Sequence, residues 1–486
     1  MNNEILNLEP TLVWKHFYSL TQIPRPSKHE DKVREFLFNF GKSLGLETIQ
    51  DEVGNVIIRK PATPGMENRK GVVLQGHMDM VPQKNNDTVH DFEKDPLKIY
   101  IDNGWVKARG TTLGADNGLG VAAAMAVLES KDIKHGPVEV FVTTDEETGM
   151  TGAMGIKAGV LKGDILLNLD TEEEGELYIG CAGGTNGNFS FRYKTAHVPA
   201  AVESFKLVVT GLKGGHSGVD IHLERGNSVK VLTRILWEGW KHFGLRFASI
   251  EGGSLRNAIP REASAWIVIP VEHKDAFTAI VAHLEKIIRK ELAAVEPTMK
   301  IVLSPAEKPA SLIDEVTQGN VINALYACPN GVIRMSNEMP GLVETSINIG
   351  VLKTENNMIV GQTLLRSSVD SAKLDLQNMV DAVFTLAGAE ITFNGHYPGW
   401  KPNPDSEILK IMKDLYIKMF GKEPLIKAIH AGLECGILGE PYPNWDMISV
   451  GPTIVSPHSP DEKTEIDSVK KFWDYLLETL KNVPVK

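Results

Sequence analysis

Cysteine is scarce in this chain: Cys181, Cys328 and Cys435 are the three among 486 residues, and they lie far apart. No CxxC spacing occurs, which excludes the usual thiolate zinc cage and a disulfide framework and points to a reducing cytoplasm. Positive charge is also short, with 51 Lys and Arg against 62 Asp and Glu, a formal net charge of −11. An acidic excess spread along the chain repels nucleic-acid backbones and anionic membranes, so neither is expected as a partner. No stretch reaches the roughly 20 apolar residues of a membrane helix. The N-terminus lacks a basic start followed by an apolar run, so no signal peptide is expected. Tandem repeats and low-complexity tracts are missing too.

What is present is an ordinary globular composition, 42% hydrophobic and 23% charged. At roughly 100–200 residues per domain, the length calls for two or three units. Residues 11–46 alternate charged and apolar positions at helical spacing (Val33, Phe36, Leu37, Phe40, Leu44), which predicts an amphipathic helix after an IPRPS turn. Short apolar runs at 55–59, 71–75, 138–144 and 165–169 read as buried strands, and the small-residue run 118–129 as a helix packed closely on a sheet. This alternation predicts an α/β sheet with helices on its faces. From about Gly184 the texture changes to longer strands with period-two alternation (205–210, 263–269, 345–351, 359–366) and helices between them (227–240, 276–293, 375–386). The first texture returns after Ala389, with a helix near 405–419 and a strand near 446–450. The expected organisation is an α/β domain in two parts, residues 1–184 and 389–486, interrupted by an α+β domain at 185–388.

Metals such as zinc take imidazole nitrogen and carboxylate oxygen. Five segments offer these groups where predicted strands end: His77 and Asp79 in QGHMDMV, Asp116 in TLGADNG, Glu146 and Glu147 in TTDEETG, Asp170 in LNLDTEE, and His458 in SPHSPDE. A lone histidine there is usually structural and a Glu-Glu pair usually solvated. Several such groups beside glycines, each at the end of an apolar run, have no simple folding rationale. An open α/β sheet gathers its site at the carboxyl ends of its strands.

The order GHMDMV, GADNG, DEETG, NLD, PHSPDE resembles the co-catalytic zinc peptidase superfamily of aminoacylases, carboxypeptidase-G-like enzymes and dipeptidases. Within it, NLDTEEEGELYIGCAGG, GLKGGHSGVDIH and HAGLECG resemble the aminoacyl-histidine dipeptidases, also called peptidase D or cytosol nonspecific dipeptidases. The likeness runs nearly end to end, and it implies a zinc-binding domain interrupted by a lid that also forms a homodimer. It implies two divalent cations, zinc expected and cobalt or manganese acceptable to the same ligands. His77, Asp116 and Asp170 would hold one; Asp116, Glu147 and His458 the other. Three carboxylates and a bridging hydroxide then balance the two dications, which avoids an uncompensated buried charge. Asp79, two residues beyond His77, would accept the other N–H of that imidazole, with a solvated loop carboxylate as the alternative. Glu146 would be the general base acting on a water between the metals.

In the interrupting domain the resemblance implies that His216 stabilises the oxyanion and that Asn257 and Arg366 bind substrate. A guanidinium suits a free C-terminal carboxylate, and a structural salt bridge is the rival reading of Arg366. Whether His216 serves its own subunit or a dimer partner stays open. In HAGLECG, Glu434 either meets the substrate's α-ammonium or is a buried structural acid, and Cys435 reads as packing. The run TEEEGE and the histidines His135, His197, His242 and His273 read as solvated. The expected activity is hydrolysis of Xaa-His and other unblocked dipeptides. An N-acyl amino acid deacylase of the same superfamily and a catalytically inactive homologue are the alternatives.

Overall fold

The computed structural model describes residues 4–486. Two compact units emerge: Met1–Gly180 with Pro402–Ala428 and Leu433–Lys486, and Cys181–Lys401 with Ile429–Gly432. The first is mixed α/β and the second α+β. Among the described residues no helix is long and apolar enough to cross a membrane.

In the first unit an eight-stranded sheet runs in the order Glu47–Gln50, Val56–Lys60, Val138–Thr143, Val72–His77, Ile165–Asn168, Asp446–Ser449, Glu176–Cys181, Leu425–Ile429. Its four central strands are parallel to one another. Val72–His77 and Val138–Thr143 are buried at every position, as expected of strands covered on both faces. The helix Ala115–Glu129 is buried almost throughout, and its alanines and glycines allow that close approach. A Cβ on Gly120 would stand 2.4 Å from the carbonyl oxygen of Leu169, so only glycine fits. The IPRPS turn separates two helices, Thr11–Thr21 and Asp31–Ser43; the second buries Val33 and Leu37, while Phe36 and Phe40 are half-buried.

A small second sheet pairs Ile454–Val455 with Lys463–Glu465, then Trp105–Ala108, then Ile99–Asp102. Its strands of two to four residues carry no readable periodicity. They nevertheless bring the loop between Val455 and Lys463 beside the segment that leads into Asp116.

The second unit is built on an antiparallel sheet with central neighbours Val202–Thr210, Ala263–Pro270, Arg246–Gly252, Val343–Glu355, Met358–Ser367 and Gly183–Arg192. Phe205, Leu207 and Val209 alternate into one hydrophobic cluster with Leu232, Phe277, Leu325 and Phe384, which come from four different helices. The helices therefore share one face of the sheet. The run HAGLECG is divided: His430 belongs to the second unit and Glu434 to the first.

Candidate metal centre

The first unit gathers His77, Asp116, Glu146, Glu147, Asp170 and His458. His77 ends its strand, Glu146 and Glu147 follow Val138–Thr143 by a short turn, and Asp170 lies just past Ile165–Asn168. The parallel direction of these strands puts the three sites at one edge of the sheet. Asp116 opens the long buried helix, and His458 comes from the loop of the small sheet with left-handed backbone, φ 58°.

Potential ligand atoms of His77, Asp116 and Asp170 lie within 4.8 Å of one another, as do those of Asp116, Glu147 and His458. Asp116 divides its oxygens: Oδ1 is 3.0 Å from His77 Nε2, and Oδ2 is 3.1 Å from His458 Nε2. His77 Nε2 also lies 3.4 Å from Asp170 Oδ1, and His458 Nε2 lies 3.0 Å from Glu147 Oε2. An imidazole nitrogen carries at most one hydrogen, yet each of these faces two carboxylates. Asp170 Oδ1 and Glu147 Oε1 are buried and lack a hydrogen-bond partner. Two imidazoles and three carboxylates, two of these with an orphaned oxygen, fit a pair of borderline-hard dications. Glu146 falls in a further group with His77 and Glu147, so distance alone leaves it eligible as a ligand. A fourth group, Glu30, Asp79 and Asp145, is wholly buried; Asp79 and Asp145 hold the turn at Glu146, and Glu30 accepts the Lys28 N–H.

Asp79 is fully buried and reaches three elements at once. Its Oδ1 lies 3.3 Å from His77 Nδ1, which favours the tautomer that leaves Nε2 free to bind a cation. It also accepts the backbone N–H groups of Glu146 and Glu147 at 3.1 and 3.2 Å and the Ser27 hydroxyl at 2.8 Å. Burial opposes the charge, but these partners hold its carboxyl down at about 2. Asp145 supports the same turn from left-handed backbone, φ 56°, with its carboxylate bound by Lys28, Thr148 and Thr151.

The chain's own charges leave this edge strongly negative. Burial first, then Asp170, Glu434 and Glu147, push the Glu146 carboxyl well above its ordinary range. Burial likewise raises Asp170 and Glu434 to about 7. Hydrogen bonds to Asp116 and Glu147 lift the His458 imidazole to about 11. Such a field attracts cations.

Glu434 is buried, with one oxygen held by Gln75 at 2.5 Å and Thr143 at 2.8 Å, and the other without a partner. In the second unit His216 Nδ1 accepts the backbone N–H groups of Gly218 and Val219, which leaves Nε2 as the donor of the neutral ring. Burial, then Arg366, lowers the pKa of His216 and keeps it neutral. The Arg366 side chain is buried, donates to the Tyr397 hydroxyl at 3.1 Å and lies 3.5 Å from His216 Nε2. Among the described residues no carboxylate pairs with it, so the salt-bridge reading finds no partner. Asn257 is exposed, and its carbonyl accepts the Ser217 N–H. Beside Arg366 stands His430, bonded to Ser346 and held neutral by burial, its pKa near 3.

Two expectations need correction. TEEEGE is not a solvated rim: Glu172 is half-buried, and burial with Asp116 and Asp170 pushes its carboxyl to about 8, while Glu176 is buried and bonded to Lys427. His135 is fully buried, its Nδ1 2.7 Å from the Gly136 carbonyl. Arg25 and Glu462, both buried around Asp116, escaped the sequence reading because their partners are backbone atoms.

Residues 73–482 match the model of peptidase family M20/M25/M40. The chain is 48% identical over 485 residues, 100% of both proteins, to a cytosol non-specific dipeptidase from Escherichia coli. It is 50% identical to an aminoacylhistidine dipeptidase of known structure from Vibrio alginolyticus, with a TM-score of 0.96 over 99% of each chain. Aminopeptidase PepT from Bacillus cereus, at 15% identity and a TM-score of 0.57 over 98% of this chain and 99% of its own, shares the fold.

Proposed function

The chain belongs to peptidase family M20/M25/M40, and from that premise we propose that it is a metal-dependent dipeptidase hydrolysing Xaa-His and other unblocked dipeptides. The observation that carries this is the pair of overlapping ligand groups joined by Asp116, with buried carboxylate oxygens left free around them. The full-length similarity to two dipeptidases supports the choice of substrate.

His77, Asp116 and Asp170 would hold one divalent cation, and Asp116, Glu147 and His458 a second, with zinc as the resident metal. When bound, such a pair polarises the scissile carbonyl and makes water acidic enough to attack near neutral pH. Glu146, which precedes the ligand Glu147 and lies in a group with His77, takes the proton of the attacking water and returns it to the leaving amine. Asp79 fixes the His77 tautomer and the backbone of Glu146 and Glu147. His216, neutral with Nε2–H available, is assigned to the developing oxyanion. Arg366, a buried cation without a carboxylate partner, is assigned to the substrate's C-terminal carboxylate, and Asn257 to substrate binding. The seclusion of Glu434 behind Gln75 and Thr143 favours a buried acid that sets the field at Glu146 over direct contact with the substrate's ammonium. Residues 185–388 would serve as the lid and carry a homodimer contact. A cytoplasmic setting accords with cysteines that are few, buried and far apart in the chain.

Metal analysis coupled to a substrate panel tests the proposal. The expected result is two zinc ions per chain and turnover of dipeptides, Xaa-His included, with little on tripeptides or N-acetyl amino acids. Preference for N-acetyl amino acids would make the chain a deacylase. No turnover by metal-replete protein would make it an inactive homologue.

A further inference from the structure

Asp116 must present one oxygen to each half of the proposed centre, yet it sits where the chain turns into a helix, a place with unpaired backbone groups. Two buried side chains take up those groups. Glu462 Oε2 accepts the N–H of Leu113 at 2.7 Å and of Gly114 at 2.9 Å. Its Oε1 accepts the N–H of Ala115 at 2.8 Å and of Asp116 at 3.3 Å. From the other direction, Arg25 Nη2 donates to the Gly114 carbonyl at 2.5 Å, while Nη1 donates to the carbonyls of Met78 at 3.1 Å and Asp79 at 2.8 Å.

One guanidinium thus ties the loop after His77 to the loop before Asp116. One carboxylate, four residues beyond His458, ties the His458 loop to that same tetrapeptide. The glycines nearby are shaped for this arrangement. Gly114 has left-handed backbone, φ 66°, and a Cβ there would stand 2.6 Å from Arg25 Nη2; a Cβ on Gly118 would meet the same atom at 2.6 Å. Burial opposes a charge on Arg25, and Glu462, Asp79, Asp116 and Glu147 supply the negative field that favours it. Both oxygens of Glu462 and both terminal nitrogens of Arg25 are engaged by backbone, and Arg25 Nε is buried without a hydrogen-bond partner.

We infer that Arg25 and Glu462 are positioning residues that lock the loops of His77, Asp116 and His458 into one frame, in which Asp116 would serve both proposed cations. The inference rests on the metal assignment proposed above. Glu462→Gln keeps the size but sets an amide NH2 against two of the four N–H groups. Arg25→Lys keeps the charge but loses the planar fork that spans the two loops.

The test is zinc titration of each full-length variant and the wild type against a competing chelator, alongside steady-state kinetics on a dipeptide and unfolding of each protein. The expected result is two zinc ions per wild-type chain. In Glu462→Gln the weaker-held zinc should bind about 10–100-fold less tightly. kcat at limiting zinc should fall in step while KM moves little, and excess zinc should restore much of kcat. Arg25→Lys should shift in the same direction by less. Folded variants that bind two zinc ions as the wild type does, differing only in unfolding temperature, would overturn the inference and leave the pair a stability device. So would failure of both variants to fold. A wild-type chain that does not take up two zinc ions would instead overturn the metal assignment itself, and the inference with it.

Discussion

Asp79 holds four groups with two oxygens, and an asparagine can hold only some of them. Its amide would turn an NH2 toward either the Glu146 and His77 side or the Glu147 and Ser27 side, where an acceptor is required. Asp79→Asn is therefore expected to weaken zinc binding about 10–100-fold, read by chelator competition; unchanged affinity would return Asp79 to a plain structural role. Arg366 yields a sharper contrast because the substrate can be altered too. Hydrogen bonds to a charged group are worth about 1.5–3 kcal/mol, roughly 10–150-fold. Arg366→Gln should lower kcat/KM by about that factor for a free dipeptide and by much less for the corresponding dipeptide amide. Equal losses on both would sink its pairing with the carboxylate. Residues such as His77, Glu147 and Asp170 were legible in the sequence because their types are chemically committed and each follows an apolar run. Arg25 and Glu462 stood in plain view in IPRPS and PHSPDE, but hydrogen bonds to backbone leave no pattern among side chains. His135 misled for a related reason: a hydrophilic neighbourhood in sequence says little about burial once the chain has folded around it.

Among the elements, the helix Ala115–Glu129 sets two effects against each other. Alanine exceeds glycine in helix propensity by about 0.8–1 kcal/mol, so a propensity argument expects Gly120→Ala to stabilise. The added methyl, however, would stand 2.4 Å from the Leu169 carbonyl and 2.8 Å from the Asn117 side chain. Overpacking of that kind costs about 1–3 kcal/mol, and the obstacle here is backbone, which cannot swing away. Gly120→Ala should destabilise on balance in denaturant unfolding and displace the segment leading to Asp170. A stabilised variant would mean that helix and sheet are free to move apart. Long apolar elements were readable to within a few residues: the run 138–144 is the strand Val138–Thr143, and 118–129 begins three residues earlier as Ala115–Glu129. The small sheet that delivers the His458 loop was not readable, because strands of two to four residues express neither periodicity nor length. The return of Ile429–Gly432 to the second unit is equally silent in a four-residue segment.

At the scale of the whole molecule, the collected carboxylates make stability depend on both metal and pH. With only the chain's own charges, Asp170, Glu434 and Glu462 have carboxyls raised to about 7, and Glu172 to about 8. A carboxyl raised on folding contributes stability below its unfolded pKa near 4, lost as pH rises through the folded value. His458, raised to about 11, has the same sign: its contribution is present below about 6.5 and lost as pH rises toward the folded value. Asp79, lowered to about 2, is already fully ionised in both states and adds no slope above pH 6. Chelator-stripped protein should therefore melt at a lower temperature at pH 8.5 than at pH 6.5, and zinc should remove most of that difference. A stripped protein with no such slope would show that the carboxylates are screened by something other than cations. The central claim is that Glu146 moves the proton while its neighbours hold the metals, although distance alone allows Glu146 to be a ligand. The most direct measurement is zinc content and dipeptide turnover in Glu146→Gln on one preparation. The expected result is two zinc ions per chain, as in the wild type, with kcat reduced by about 10²–10⁴-fold or more. Loss of a zinc ion, or turnover near the wild-type rate, would contradict it.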